Sequence, residues 1–203
     1  MKTKLYLIAT LLLCCSLSGC NNPWYGKIVG PLIEGYDIGD TGPGGGIIFY
    51  RSNNVFGFIM TDTGKTCYYL EAAPVAQGTS LAWASKEYDR TDIPGTSFTI
   101  GSGRQNTARI LAIDANAPAA LACKNYNGGG KTDWFLPSSD EFDEFYIFYV
   151  ANGKGTYGNL SPVAYWSSSQ GNYAGPWMKH FGNCVRRQTY KESILSVRAI
   201  RAF

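Results

Sequence analysis

The stretch that most constrains the fold of this 203-residue chain runs from Ser138 to Tyr149. A helix starting here could use Ser138 as its N-cap. Glu141, three positions on, can reach back to the Ser138 backbone and complete a capping box. Phe142, Phe145, Tyr146 and Tyr149 then recur at i, i+3, i+4 and i+7, so four rings share one helical face that must lie on an apolar surface. The acids Asp140, Glu141, Asp143 and Glu144 fall in the first turns, where they complement the helix dipole rather than mark a catalytic pair. Two shorter helical patterns precede it, Thr107–Asp114 and Pro118–Tyr126, the second with Pro118 in its first turn.

The remaining chain supplies the surface for that helix as short β-like runs. Ile47–Tyr50 and Val55–Met60, joined by Arg51-Ser52-Asn53-Asn54, read as a β-hairpin, and Cys67–Glu71 as a third strand. Ala164–Ser168, Trp177–Phe181 and Leu195–Ala202 follow as strands, the last placed near the middle of a sheet. Residues 74–102 have no period and read as a long irregular segment pinned by Trp83. Between Gly39 and Gly46 the glycines cluster without the Gly-Lys-Ser/Thr ending of a phosphate loop, so a tight turn feeding a strand is expected. Helical patterns and short strand-like runs in this mixture, with 24 glycines, predict a loop-rich, turn-rich domain with many short strands.

The N-terminus sets the compartment. Lys2 and Lys4 precede an apolar run, Leu5–Leu13, and the tetrad Leu17-Ser18-Gly19-Cys20. That is the organisation of a secretory signal, and its core falls short of the roughly 20 residues a membrane span needs. The tetrad resembles the lipobox of bacterial lipoproteins. The resemblance implies a signal peptide over residues 1–19, lipidation at Cys20, and attachment to the bacterial membrane by acyl chains such as palmitate. Residues 20–38 then read as the lipidated cysteine and a tether, and 39–203 as a single domain. Asn21 is not the Asp of inner-membrane retention, which points to the outer membrane or cell surface.

Export changes the cysteine count. Of six cysteines, Cys14 and Cys15 leave with the signal and Cys20 takes the lipid. Cys67, Cys123 and Cys184 remain, so at most one intramolecular disulfide forms, with its pairing open. They have no zinc-ligand spacing, and His180 is the only histidine, which leaves little material for a metal site or a Ser-His or Cys-His catalytic unit. A net charge of +3, two units of it in the signal, gives no reason to expect nucleic acid. No cofactor is expected.

Three segments together carry a family resemblance. They are Ala122-Cys123-Lys124-Asn125-Tyr126 through Gly128-Gly129-Gly130; Asp133-Trp134-Phe135-Leu136-Pro137-Ser138 with Glu141; and Tyr165-Trp166-Ser167-Ser168-Ser169 leading to Ser196-Val197-Arg198-Ala199-Ile200-Arg201. They resemble the C-terminal domain family of the collagen-like adhesin Lcl, a domain of unknown function that is similar to the C-type-lectin-like fold, and the resemblance implies an α+β domain of two or three helices packed on small twisted antiparallel sheets with long loops. This implies that Trp134 and Trp166 interlock with the Arg198/Arg201 strand as core, and that Ser167-Ser168-Ser169 serve as hydrogen-bonding groups. The Glu-Pro-Asn, Gln-Pro-Asp and Trp-Asn-Asp motifs of calcium-dependent lectins do not occur. Nor does the cysteine pair of the formylglycine-generating enzymes.

The resemblance and the anchor together imply a non-catalytic, adhesin-like ligand-binding lipoprotein whose partner is a host or envelope protein or a glycan. The expected recognition residues lie between the last framework strands: Tyr173, Trp177, His180, Asn183, Arg186, Arg187 and Tyr190. Aromatic and arginine side chains carry most hot-spot energy at protein interfaces. The bland alternatives are that Trp177 and Phe181 pack inward and that Arg186 and Arg187 occupy a solvated turn. Two other functions remain open, a structural envelope lipoprotein without a specific ligand and a relative of the formylglycine-generating enzymes.

Overall fold

The computed structural model describes residues 35–153, 159–171 and 175–203. The signal peptide, Cys20, most of the tether and Tyr173 lie outside the described residues. Tyr36–Phe203 form one compact unit of mixed α+β architecture.

Among the described residues, ten strands and three α-helices follow in chain order. The strands are β1 (Ile47–Arg51), β2 (Phe58–Ile59), β3 (Thr66–Cys67), β4 (Tyr69–Ala72), β5 (Gly78–Leu81), β6 (Ala164–Gln170), β7 (Pro176–His180), β8 (Arg186–Gln188), β9 (Leu195–Val197) and β10 (Ile200–Ala202). The helices are α1 (Gly103–Ile113), α2 (Pro118–Lys124) and α3 (Ser139–Ala151), all between β5 and β6. Three sheets result, ordered β1-β4-β10, β2-β3 and β5-β9-β6-β7-β8. These pairings are antiparallel except β6 with β9, which is parallel.

Helix α3 forms as its sequence requires. The Ser138 side chain accepts from the Glu141 backbone at 3.3 Å while Glu141 Oε2 accepts from the Ser138 N–H at 2.7 Å. Phe142, Phe145 and Tyr149 are buried, and the rings of Phe142, Phe145, Tyr146 and Tyr149 all gather around Phe181, with centroids 5.2–5.9 Å away. This aromatic core also takes in Phe49, Leu70, Tyr165 and Ile200. A second core lies between α1, α2 and the five-stranded sheet and centres on Trp83, Trp134 and Trp166. Each of these indoles donates to a backbone carbonyl, of Ser167 at 2.8 Å, Gly128 at 3.2 Å and Leu81 at 2.8 Å respectively. Buried Trp N–H groups ordinarily need such a partner.

Several local expectations are corrected. The hairpin joining Ile47–Tyr50 to Val55–Met60 does not form. β1 pairs with β4, and β2 with β3, because the β1 register that buries Ile48 and Phe49 is satisfied by β4, whose four residues are all buried. Cys67–Glu71 is divided at Tyr68 into two strands serving different sheets. Leu195–Ala202 is likewise two strands. β9 sits inside the five-stranded sheet, and after Arg198-Ala199 the chain crosses to become β10 at the edge of the three-stranded one. The stretch 74–102 contains β5 and a 3-10 turn, Lys86–Tyr88. Helix α1 begins earlier than its pattern, at Gly103, and α2 ends earlier, at Lys124.

The crossing between sheets explains the Trp134-Phe135-Leu136-Pro137 segment. Phe135 exchanges both backbone hydrogen bonds with Ile200 of β10, at 2.8 and 3.0 Å, while the Pro137 carbonyl accepts from Ser168 of β6 at 2.7 Å. One short segment therefore ties the two sheets together. The glycine cluster is a turn feeding β1, and its shape is set by Glu71 of β4. This carboxylate is fully buried and accepts from the Gly44 and Gly46 backbones at 2.9 and 2.7 Å and from Arg201 Nη1 at 3.0 Å. A Cβ on Gly44 would lie 2.7 Å from the Trp134 ring, and one on Gly46 only 2.1 Å from the Ala72 carbonyl oxygen. Only glycine lets the loop close over the carboxylate. Arg201 also grips Asp133 through Nε at 2.8 Å and Nη2 at 3.0 Å. Burial pushes the Asp133 carboxyl up, but the guanidinium outweighs it and holds the acid below its usual range.

Arg198 is different. It is fully buried, and its three guanidinium nitrogens have no hydrogen-bond partner among the described residues. Burial lowers its pKa to about 10, against the pull of Tyr165 and Tyr126.

Candidate binding surface

The sheet β6-β7-β8 and the segment after it carry the residues expected to recognise a ligand. β7 and β8 pair with Trp177 opposite Gln188, Met178 opposite Arg187 and Lys179 opposite Arg186. Side chains alternate across a strand, so Trp177, Lys179, Arg186 and Gln188 share one face, turned toward α3. Met178 points the other way into the tryptophan core, and Arg187 shares its side of the sheet.

On the α3 face the charges are already paired. Arg186 Nη1 lies 2.6 Å from Asp143 Oδ2 and 3.4 Å from Asp140 Oδ1, and Lys179 Nζ lies 2.8 Å from Asp143 Oδ1. The Arg186 guanidinium also covers the Trp177 ring at 5.2 Å and the Phe98 ring at 5.9 Å, and Lys179 sits 4.5 Å over Tyr146. Asp140 and Asp143 of α3 therefore hold down a cationic ladder, Asp140 also facing the helix dipole from the first turn. Desolvation pushes the Asp140 carboxyl up even though Arg186 opposes it. Trp177 is half-buried edge-on against Phe98, 6.0 Å between centroids, while Phe181 is fully inside.

At the far end of β7, His180 Nδ1 accepts from the Gly182 backbone at 3.0 Å and Asn183 Oδ1 accepts from the Val185 backbone at 3.2 Å. These two shape the β7–β8 turn, in which Cys184 adopts a left-handed φ of 64°. Arg187 and Tyr190 are exposed, Tyr190 to 75%.

Tyr190 lines an open cleft of about 370 Å³ together with Gln170, Gly175, Asp92 and Lys191. Its floor is rigid. Gln170 donates to Asp92 Oδ1 at 2.8 Å, accepts from the Ile93 backbone at 3.2 Å, and exchanges hydrogen bonds with Thr96 through its own backbone at 3.0 and 3.2 Å. Lys191 is buried, donates to the Thr91 carbonyl and stands 4.9 Å over the Trp83 ring. Burial lowers its pKa, opposed by Asp92, Asp114 and Asp89. The cleft is a polar recess with one exposed aromatic wall, held by a hydrogen-bonded loop.

The structure thus brings Trp177 and Arg186 together in one cluster, His180 and Asn183 in a turn, and sets Tyr190 apart at the cleft, with Arg187 on the other side of the sheet from Arg186. The sequence reading missed Phe98 and the cleft residues Gln170, Asp92 and Lys191. Phe98 and Asp92 come from the stretch without period, so no local signal marked them.

The serine run belongs to the scaffold. Ser167 Oγ donates to the Trp177 carbonyl at 2.8 Å and Ser169 Oγ to the Ser97 carbonyl at 2.8 Å, and Ser168 Oγ accepts from Asn106 Nδ2 at 3.2 Å. Glu141 is another buried group, its carboxyl pushed up by burial to about 7 against three backbone donors, Ser138, Gly101 and Gly103. Its two oxygens are thereby committed to fixing the start of α3 and the loop ahead of α1. Among the described residues no three His, Cys, Asp or Glu side chains are grouped to hold a metal ion, and Cys67, Cys123 and Cys184 are free. Against known protein families and curated proteins the sequence has no match.

Proposed function

We infer that this chain is a lipid-anchored, non-catalytic ligand-binding module of the bacterial envelope, adhesin-like, with a C-type-lectin-like domain related to that of the collagen-like adhesin. The observation that carries the reading is the cleft beside Tyr190. An exposed ring rises over a recess whose polar groups are fixed by Gln170 and Lys191, and preorganised groups bind at lower ordering cost. Tyr190 supplies stacking area, and Asp89, Asp92 and Glu192 supply acceptors suited to a hydroxyl- or amine-bearing surface of a host or envelope protein or a glycan. A structural envelope role is the alternative. It is favoured by the internal pairing of Lys179 and Arg186 with Asp143, which leaves that side of the sheet little free charge.

The test is binding of the full-length lipoprotein to arrayed glycans and to envelope and host-surface proteins, with Y190A and R187A beside the wild type. The expected result is capture by the wild type that Y190A abolishes at unchanged thermal stability. Capture undiminished in both variants removes this surface from the reading, and no capture above background favours the structural role.

A further inference from the structure

Val55 and Phe56 stand 78% and 77% exposed, and Ile59 just beyond them 53%. Apolar side chains on a loop tip are poorly placed for the core, yet this turn is well built. The Phe56 N–H donates to Asn54 Oδ1 at 3.0 Å and the Gly57 N–H to the Asn54 carbonyl at 2.8 Å. Gly57 takes a φ of 69°, and a Cβ there would fall 2.4 Å from the Cys67 carbonyl oxygen. The glycine fixes a tight corner that carries two large apolar side chains outward.

The position of the turn gives it meaning. β1 ends at Arg51, opposite Tyr69, and the Ser52 N–H continues the ladder to the Tyr68 carbonyl at 2.8 Å. The same end of the sheet receives the start of the compact unit. The Tyr36 ring packs edge-on against Tyr69 and Phe203, with centroids at 5.7 and 5.6 Å, and Asp37 pairs with Arg51 at 3.7 Å. The chain arriving from Cys20 therefore enters the domain at the edge from which Val55 and Phe56 project. At no more than roughly 3.5 Å per residue, the chain from Cys20 to Tyr36 reaches about 55 Å at full extension, so on the anchor reading this edge lies within reach of the bilayer that holds Cys20.

We propose that the Val55–Phe56 turn is a membrane-contact element, inserting its two apolar side chains into the interface of the bilayer that carries the Cys20 lipid. The proposal rests on the lipid-anchor reading. Insertion of this kind reaches about 5–10 Å into the headgroup and acyl boundary. The charges around the turn are largely matched, Arg51 by Asp37 and Arg104 by Asp62 at 2.7 Å, while Lys65 stands exposed on the β3 side. Apolar area rather than attraction to anionic lipid then drives the contact, so it holds on a zwitterionic surface and at high salt.

The experiment uses the full-length lipidated protein in phosphatidylcholine vesicles with brominated acyl chains. It compares F56W with I194W, which puts a tryptophan at another exposed apolar position, 57% exposed on the loop before β9. Mass spectrometry of the N-terminal peptide reports whether Cys20 is acylated. Emission is read as the difference from the wild type, which isolates the added indole. The expected result is roughly twofold or greater quenching of the emission that F56W adds, with a blue shift, and no quenching of the emission that I194W adds, both unchanged by salt. Acylated, vesicle-bound protein in which both variants stay unquenched overturns the proposal and leaves the anchor standing. Protein that is not acylated and does not bind vesicles overturns both, and the mass spectrum distinguishes the two failures.

Discussion

Replacing Glu71 by alanine is the perturbation that tests most of the fold at once. Its carboxylate is fully buried and closes the Gly39–Gly46 turn through the Gly44 and Gly46 N–H groups while pairing with Arg201 of β10. Alanine leaves two buried amide donors unpaired, at about 1–3 kcal/mol each. It also removes one side of a buried ion pair, a change that costs about 3–5 kcal/mol when the other charge is stranded. These losses share the same atoms and do not add, and Arg201 keeps Asp133 as a partner. A net destabilisation of about 4 kcal/mol results. For a domain of this size each kcal/mol lowers Tm by about 2–4 °C, which gives a fall of about 8–16 °C. E71Q retains an acceptor oxygen for the glycines without the charge and is expected to lose about half as much. Urea unfolding of the three proteins, with slopes compared to exclude a change of denatured state, gives the free energies. A loss under about 1 kcal/mol for E71A would refute the claim that this carboxylate organises the turn and ties it to the sheet.

Other outcomes follow from the same reasoning. R198M removes a buried guanidinium that has no partner among the described residues, so it is expected to be neutral or stabilising by about 1–3 kcal/mol; a loss of stability in urea unfolding would reveal a hidden role for the charge. F181A empties the centre of the ring cluster around α3 and should cost about 3–5 kcal/mol, read by the same unfolding transition. Burial raises Glu141 from its ordinary 4.5 to about 7, so the folded state binds more protons than the unfolded state between those values. Its contribution is present below pH 4.5 and lost as pH rises through 7, and E141Q should flatten that part of the Tm profile. Of the three domain cysteines only Cys184 is exposed, so a thiol reagent should modify it alone in the native state; reaction of Cys123, whose pKa burial raises further, would contradict the packing around α2.

Much of the α3 half of the domain was legible in the sequence, because a capping box and an aromatic stripe at i, i+3, i+4 and i+7 are local signals that the backbone of a single helix satisfies by itself. The burial of Trp134-Phe135-Leu136-Pro137 was legible for a similar reason, since a run of large apolar groups has few other places to go. Strand pairing was less so. Val55–Met60 has the composition of a hairpin partner for β1, but only long-range packing decides that β4 takes that place, and no turn chemistry of the type that fixes two-residue hairpins marks the connection. The candidate surface divides in the same way. That Arg186, Trp177 and Tyr190 are residues fit for recognition is a property of their side chains. That Arg186 is held by Asp143 from α3 and Tyr190 faces a recess floored by Gln170 depends on segments distant along the chain.

The sequence by itself determined the helix α3 and its buried face, the mixture of helical and strand-like segments, and the single histidine, because composition and local period need no knowledge of neighbours. Only the tertiary structure decided that Leu195–Ala202 serves two sheets, that the glycine loop closes on Glu71, and that Trp177, His180, Asn183 and Arg186 are engaged within the domain. Those outcomes depend on where desolvated charges and polar groups find partners, and such partners are brought together by chain reversal rather than by proximity along the chain.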